Sequence, residues 1–322
     1  MTCAALEIIV RVVGIEPPGN GIVCAPLQGI ALPAPEKPAE GFRVVVLGNP
    51  VAEAVDVPLD QHAFRALAIR YQATWASPYE IIEPCPAAAT PADMYEAYQQ
   101  SRLFHPDLVI AVLTPDSIET LHPDLSDQAR YYTFQGNALA LVSRSEWAAP
   151  PGTRRGLFQF AEGPSALARG LDRALIQHRD QIPQAGRYEA YYDDPRYAQA
   201  WPIYEALMAG LRDAAQADGA TFAVVIAPDA YAVYPEWYYQ QYPEMQAHHE
   251  LFDATKIERR MEQSLDRWSI PYLSLTPFLQ ATAASYPVIS GQNGQWTLDG
   301  NLVAIEALDS WFRRMGWVPA GN

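Results

Sequence analysis

The chain of 322 residues is 49% hydrophobic and 18% charged, which excludes a disordered polymer and supplies the core of one large domain or two smaller ones. Asp and Glu outnumber Lys and Arg by 37 to 22, a formal net charge of −15, and a phosphate backbone would be repelled unless a local basic stripe existed. The densest basic clusters, Arg154-Arg155 and Arg259-Arg260, are too short to track a nucleic acid and read as solvated surface.

Three cysteines, Cys3, Cys24 and Cys85, are an odd number without C-x-x-C spacing, so neither a disulfide framework nor a zinc site is signalled. A single disulfide among them is left open. No run of 18 apolar residues occurs, and the apolar stretch from Ala4 to Ile15 is interrupted by Glu7 and Arg11. That stretch also lacks the basic leader and small-residue cleavage site of a secretory signal. Within residues 1–14, Leu6, Ile9, Val10 and Val13 fall at helical spacing, and Glu7 and Arg11 form an i,i+4 pair on the other side. The spacing predicts a short amphipathic helix able to touch a partner or a membrane surface. Residues 15–41 carry Pro17, Pro18, Pro26, Pro33, Pro35 and Pro38 among glycines, and this reads as a linker.

The globular body spans 42–322. Phe42 to Gly48 is a continuous β-branched run ending in glycine, the signature of a central parallel strand. Asp60 to Tyr71 reads as a helix, Tyr79 to Glu83 as a strand, Ala92 to Phe104 as a helix, and Pro106 to Leu113 as a third strand. Residues of about 117–165 mix aromatic and turn residues and read as an insertion or small lid. Helices are expected at Pro164 to Ala174 and Pro202 to Ala217, followed by a strand at Thr221 to Ala227. After a second insertion at about 228–250, a tyrosine-rich loop, come an amphipathic helix at Lys256 to Trp268 and a strand at Pro271 to Leu275. A final helix runs from Gly300 to Met315. Strand and helix alternation predicts an α/β fold, a doubly wound three-layer sandwich with a mostly parallel sheet of about five strands.

In such a sheet the chemistry belongs in the loops after the strands. There the run VVVLGNPVAEAVDVP (44–58) resembles the first motif of the SGNH, or GDSL-type, hydrolases, in which an apolar strand leads into Gly-Asp-Ser. HPDLVIAVLTPDS (105–117) resembles that family's strand ending in Asn-Asp, and SIPYLSLTPFLQ (269–280) the strand preceding its last motif. NGQWTLDGNLVAIEAL (293–308) resembles the closing motif, Asp-x-His followed by Trp, then Gly, then an amphipathic helix. EIIVRVVGIEPP (7–18) is similar to the segment after the membrane helix of anchored members. The resemblance covers roughly residues 42 to 315 and implies a flavodoxin-like sheet and an extracytoplasmic, membrane-associated place.

The departures bear most on function. Pro50 stands where the resemblance places the nucleophilic serine; it has no hydroxyl and no backbone N–H. Asn293 stands for the aspartate and Gln295 for the histidine, and an amide cannot shuttle a proton. Pro115 falls at the oxyanion asparagine, although Asp116 remains, and IIEPCPAAATPAD (81–93) lacks the glycine-rich turn. Joint loss of nucleophile, base, orienter and oxyanion donors reads as a pseudoenzyme. The His248-His249 pair with Glu244, Glu250 and Asp253 reads as a solvated acidic helix rather than a metal site. No P-loop, dinucleotide glycine pattern or nucleophile elbow is present, and no cofactor is expected.

Tyr231, Tyr234, Trp237, Tyr238, Tyr239 and Tyr242, with Trp296, are candidate binding residues, since tyrosine and tryptophan give large amphipathic contact area at low entropic cost. The expectation is an inactive SGNH-like domain serving as a structural or accessory subunit among the proteins of a membrane-associated, extracytoplasmic assembly. Alternatives from other classes are a carbohydrate- or acyl-group-binding module in the former cleft, and an esterase or acyltransferase with a relocated nucleophile.

Overall fold

The computed structural model describes residues 34–38, 40–48, 57–75, 78–85, 90–123, 125–126, 130–135, 138–143, 195–241, 253–291 and 294–318. Its strands are β1 (Phe42–Leu47), β2 (Tyr79–Cys85), β3 (Leu108–Leu113), β4 (Arg130–Gln135), β5 (Ala138–Ser143), β6 (Thr221–Ile226) and β7 (Tyr272–Ser274). Five of these form one parallel sheet in the order β2-β1-β3-β6-β7, and β4 and β5 make a separate antiparallel pair. The helices are α1 (Ala63–Thr74), α2 (Pro91–Ser101), α3 (Pro195–Ala217), α4 (Ala230–Val233), α5 (Pro235–Gln241), α6 (Lys256–Arg267), α7 (Thr276–Ala283) and α8 (Leu298–Arg314).

The expected doubly wound α/β architecture is present. Because successive strand residues point to opposite faces, each strand feeds two cores. Val45, Leu47, Val109, Ala111, Phe222 and Val224 join α2, α3 and α6 on one face. Val44, Val46, Ile110, Val112, Ala223 and Val225 join α1, α7 and α8 on the other. The chain steps one way from β1 to β2 and the other way thereafter, so right-handed crossovers put α1 on one face and α2, α3 and α6 on the opposite one. The reversal leaves a crevice between the carboxyl ends of β1 and β3, where ligands of this topology bind.

Several elements differ from the sequence expectation. Strand β2 continues past Glu83 to Cys85, and its register against β1 shifts between Val45 and Leu47, opposite Pro84. An edge strand tolerates a proline when a bulge absorbs the missing donor. Helix α3 starts at Pro195, with Pro202 inside it. The first two turns bury Tyr197, Ala200, Ile203 and Tyr204, and that packing outweighs the hydrogen bond that Pro202 forfeits. In and next to the stretch of about 117–165 read as an insertion or small lid, the described residues form a 3-10 turn at Pro115–Leu121 and the β4–β5 hairpin. Tyr132 of the hairpin packs edge-on against Tyr95 of α2, with ring centroids 6.3 Å apart. The tyrosine-rich stretch read as a loop forms the short helices α4 and α5. The helix expected at 164–174 lies outside the described residues, as does the N-terminal helix.

At the amino edge of the sheet, Arg43 is 1% exposed and organises four segments. Its Nε donates to Glu80 at 2.7 Å, and Nη1 to the carbonyls of Phe104 at 2.7 Å and Pro35 at 2.9 Å. Nη2 donates to the Ala34 carbonyl at 3.1 Å, and the Arg43 amide to Asp107 at 2.7 Å. Lys37 pairs with the same Asp107 at 2.6 Å. The end of the proline-rich segment is thus clamped to the sheet, at the edge opposite the crevice. Replacing one member of a buried charged network strands its partners, so Arg43→Met is expected to cost about 3 kcal/mol, read as a lower urea midpoint. Arg43→Lys, which keeps the charge but not the fork, is expected to recover only part of it.

Candidate functional site

The carboxyl ends of the strands bring together Gly48, Thr114 to Leu121, Ala227 to Asp229, Thr276 and the loop before α8. Gly48 leaves β1 with φ of 70°, a left-handed conformation natural to glycine. After β3 the chain turns at once into the 3-10 helix. Thr114 N–H donates to Ser117 Oγ at 3.1 Å, and Ser117 N–H returns to the Thr114 carbonyl at 2.9 Å. Pro115 occupies the first helical position, where a missing N–H costs nothing, and its side chain is buried. Pro115 therefore has a structural role as the start of a turn.

The turn is held by α3. Tyr197 donates its hydroxyl to Glu119 at 3.0 Å, and His122 Nε2 lies 3.1 Å from Gln199 Oε1. Among the described histidines, His62 has Nε2 3.0 Å from the Val57 carbonyl, and His105 is exposed just before β3, at the amino edge. No group of three His, Cys, Asp or Glu side chains among the described residues could hold a metal ion.

The loop before α8 is built tightly. Ser290 N–H donates to the Gln295 carbonyl at 2.8 Å, Gly294 N–H to the Ser290 carbonyl at 3.0 Å, and Ile289 pairs with Trp296 in an antiparallel bridge. Gly294 has φ of 70°, in keeping with the turn expected there. Thr297 then caps α8, accepting from Gly300 N–H at 3.2 Å. A side-chain carbon on Gly300 would lie 2.1 Å from the Val288 carbonyl oxygen and 3.2 Å from Trp296 Cβ, so only glycine fits. Asn301, fully buried, accepts from Ala63 N–H at 2.9 Å and donates to the Thr297 carbonyl at 3.0 Å. One side chain thus satisfies an otherwise orphaned donor at the start of α1 and fixes α8 against it.

The aromatic residues divide by role. Tyr234 and Trp237 stack, with ring centroids 4.2 Å apart at 15°, and the Tyr234 hydroxyl accepts from Val288 N–H at 2.9 Å. Trp237 also lies against Gly291. Tyr238 is 2% and Trp296 1% exposed, both inside the core, and Tyr234 is 9% exposed. This corrects the expectation that Tyr234, Tyr238 and Trp296 present a ligand surface: their faces are used up in packing. Tyr231, Trp237 and Tyr239 are half-buried. Pro50, Asn293 and Tyr242, and Leu6, Ile9, Val10 and Val13, lie outside the described residues.

One group was not singled out from the sequence. Glu258 of α6 is 2% exposed, its Oε2 accepts from Thr276 Oγ1 at 2.5 Å, and its Oε1 has no partner. Burial raises its pKa to about 7, against the lowering effect of the Thr276 hydrogen bond; the charges of Glu262 and Asp229 add to the rise. Asp229 follows β6 and caps α4 by accepting from Tyr231 N–H at 2.9 Å. The signal was available: Glu258 stands three and seven residues before Met261 and Leu265, in the apolar stripe of its helix.

The solved structures similar to this chain include three from bacterial sources. A catalytic mutant of Axe2, an acetylxylan esterase from Geobacillus stearothermophilus, is 10% identical with a TM-score of 0.45, covering 88% of this chain and 100% of its own. The psychrotrophic esterase EstA from Pseudoalteromonas sp. is 10% identical at 0.44, covering 85% and 97%. A putative lipolytic protein of the G-D-S-L family from Desulfitobacterium hafniense is 8% identical at 0.44, covering 84% and 99%. No protein-family model matches the sequence, and no curated protein matches it.

The seat of α8 predicts a graded response to added methyl groups. Gly300→Ala, which drives a carbon into a backbone carbonyl, is expected to lose about 3 kcal/mol or to fail to fold. Gly294→Ala, with open space around it but a positive φ, is expected to lose only about 1 kcal/mol. Urea denaturation of the two variants compares them.

Proposed function

We propose that this chain is a non-catalytic domain of SGNH-hydrolase-like architecture that serves as an accessory subunit of a membrane-associated, extracytoplasmic protein assembly. The observation that carries the reading is the loop before α8. There Trp296 is buried and Gly300 is seated on Val288, while Asn293 and Gln295 stand where the sequence resemblance places the acid and base. With an amide for the imidazole and Pro50 for the serine, the motif positions themselves supply neither base nor nucleophile.

One further feature favours a protein partner over a small substrate: the stacked Tyr234 and Trp237 are committed to packing on the loop rather than offered to a sugar or acyl group. Among the described residues no helix is long and apolar enough to cross a membrane.

A second reading, an esterase with a relocated nucleophile, has Glu258 in its favour, because a carboxyl titrating near neutrality at this edge suits acid–base work. Hydrolysis of 4-nitrophenyl acetate separates the two. The accessory reading expects the full chain to match buffer alone, with no change in Pro50→Ser. It also expects stoichiometric partners when the chain is purified from native membranes, lost on deleting residues 1–14. A rate well above buffer that falls in Glu258→Gln and ignores Pro50→Ser would establish the esterase instead.

A further inference from the structure

We propose that Glu258 is a proton-dependent latch that seats the first turns of α6 on the carboxyl ends of β6 and β7 when neutral and loosens that seat when ionised. The geometry is specific. The carboxyl lies between Ile257 and Met261, both buried in one core, and reaches Thr276 at the start of α7, which packs on the other face. It thus spans the sheet edge. Thr276 directly follows Leu275, whose N–H donates to the Ile226 carbonyl of β6 at 3.0 Å, so the bond ties α6 to the end of the sheet itself.

The surroundings suit a neutral carboxyl. One oxygen has a single hydroxyl donor; the other is buried with no partner, a costly arrangement for an anion. The charged groups that face it are Asp229 after β6, Glu262 on the next turn of α6 and Arg259 beside it. Two of these three are carboxylates, and Arg259 is engaged by Asp253. On α3, Glu205 is held by Ser264 and Arg267 toward the far end of α6. Among the described residues, the cation that acts on Glu258, Arg259, is thus turned to another carboxylate.

The sign follows from proton binding. Glu258 holds its proton up to about pH 7 when seated, whereas an exposed carboxyl releases it near 4.5. The open form therefore gains on the seated form as pH rises through that window, and the ratio levels off above about pH 7. From pH 5 to 7.5 the opening equilibrium should rise roughly fiftyfold.

Native-state amide exchange of the full chain, followed by mass spectrometry on peptides covering 256–267 and 272–276 and corrected for intrinsic rates, reads this equilibrium. The expected result is a rise of tens of fold that flattens near pH 7 in the parent protein and is absent in Glu258→Gln. Thr276→Val removes the hydroxyl that donates to the carboxylate, so its plateau should move to higher pH. A flat parent profile overturns the latch, as does a slope that persists in Glu258→Gln or a plateau that Thr276→Val leaves in place.

Discussion

Two-sided burial of a parallel sheet is the constraint from which the rest of this molecule follows. Strands β1, β3 and β6 are covered on both faces, so their residues cannot alternate polar with apolar, and the sequence accordingly runs RVVVL, LVIAVL and FAVVI. Each core needs helices to close it, and the handedness of crossovers decides which helix goes to which face. Once the strand order doubles back at β1, the carboxyl ends of β1 and β3 must open onto a crevice. The position of the candidate site is therefore a consequence of topology, fixed before any side chain is considered.

What closes that edge is aromatic. Helices α4 and α5 lie where the two cores meet: Tyr238 belongs to the core of α2, α3 and α6, whereas Tyr234 belongs to that of α1, α7 and α8. Residues a few positions apart in one short segment thus pin both faces of the sheet. Tyrosine suits the task because its ring can be buried while its hydroxyl satisfies a backbone group, as Tyr234 does for Val288. The same chemistry that recommends tyrosine for recognition recommends it for a seam, and composition alone does not separate the two.

The legible parts of the fold are those set by local periodicity. The strands of the large sheet and helices α1, α2, α6 and α8 follow from apolar spacing, because burial on one face or two writes a period directly into the sequence. The unread parts depend on distant partners. Pro202 looked like a helix start because proline favours a first turn, and only contact with the turn after β3 reveals the helix running through it. Pro115 was legible as a departure from a motif but not as the start of a 3-10 helix. Asn301 is an ordinary polar residue in sequence, yet it caps a helix 238 positions away. The burial of Glu258 could be anticipated from its stripe; the pairing of the neighbouring Arg259 with Asp253 could not.

The loop before α8 separates two kinds of constraint that a motif usually combines. Trp296 and Gly300 have packing tasks: the indole fills the core under α8, and the glycine lets the Val288 carbonyl pass at a distance no side-chain carbon could share. Gln295 contributes its backbone carbonyl to Ser290, a bond any residue could make. Packing positions cannot change without loss of the fold, while chemical positions are free to change once the reaction is no longer required. On the function proposed above, Trp296 and Gly300 carry the packing of this loop, while Asn293 and Gln295 stand where the resemblance places the chemistry. An enzyme that had moved its nucleophile would still need an acid or base at this edge of the sheet, and Glu258, buried among carboxylates and raised to about 7, has the titration range for such a role.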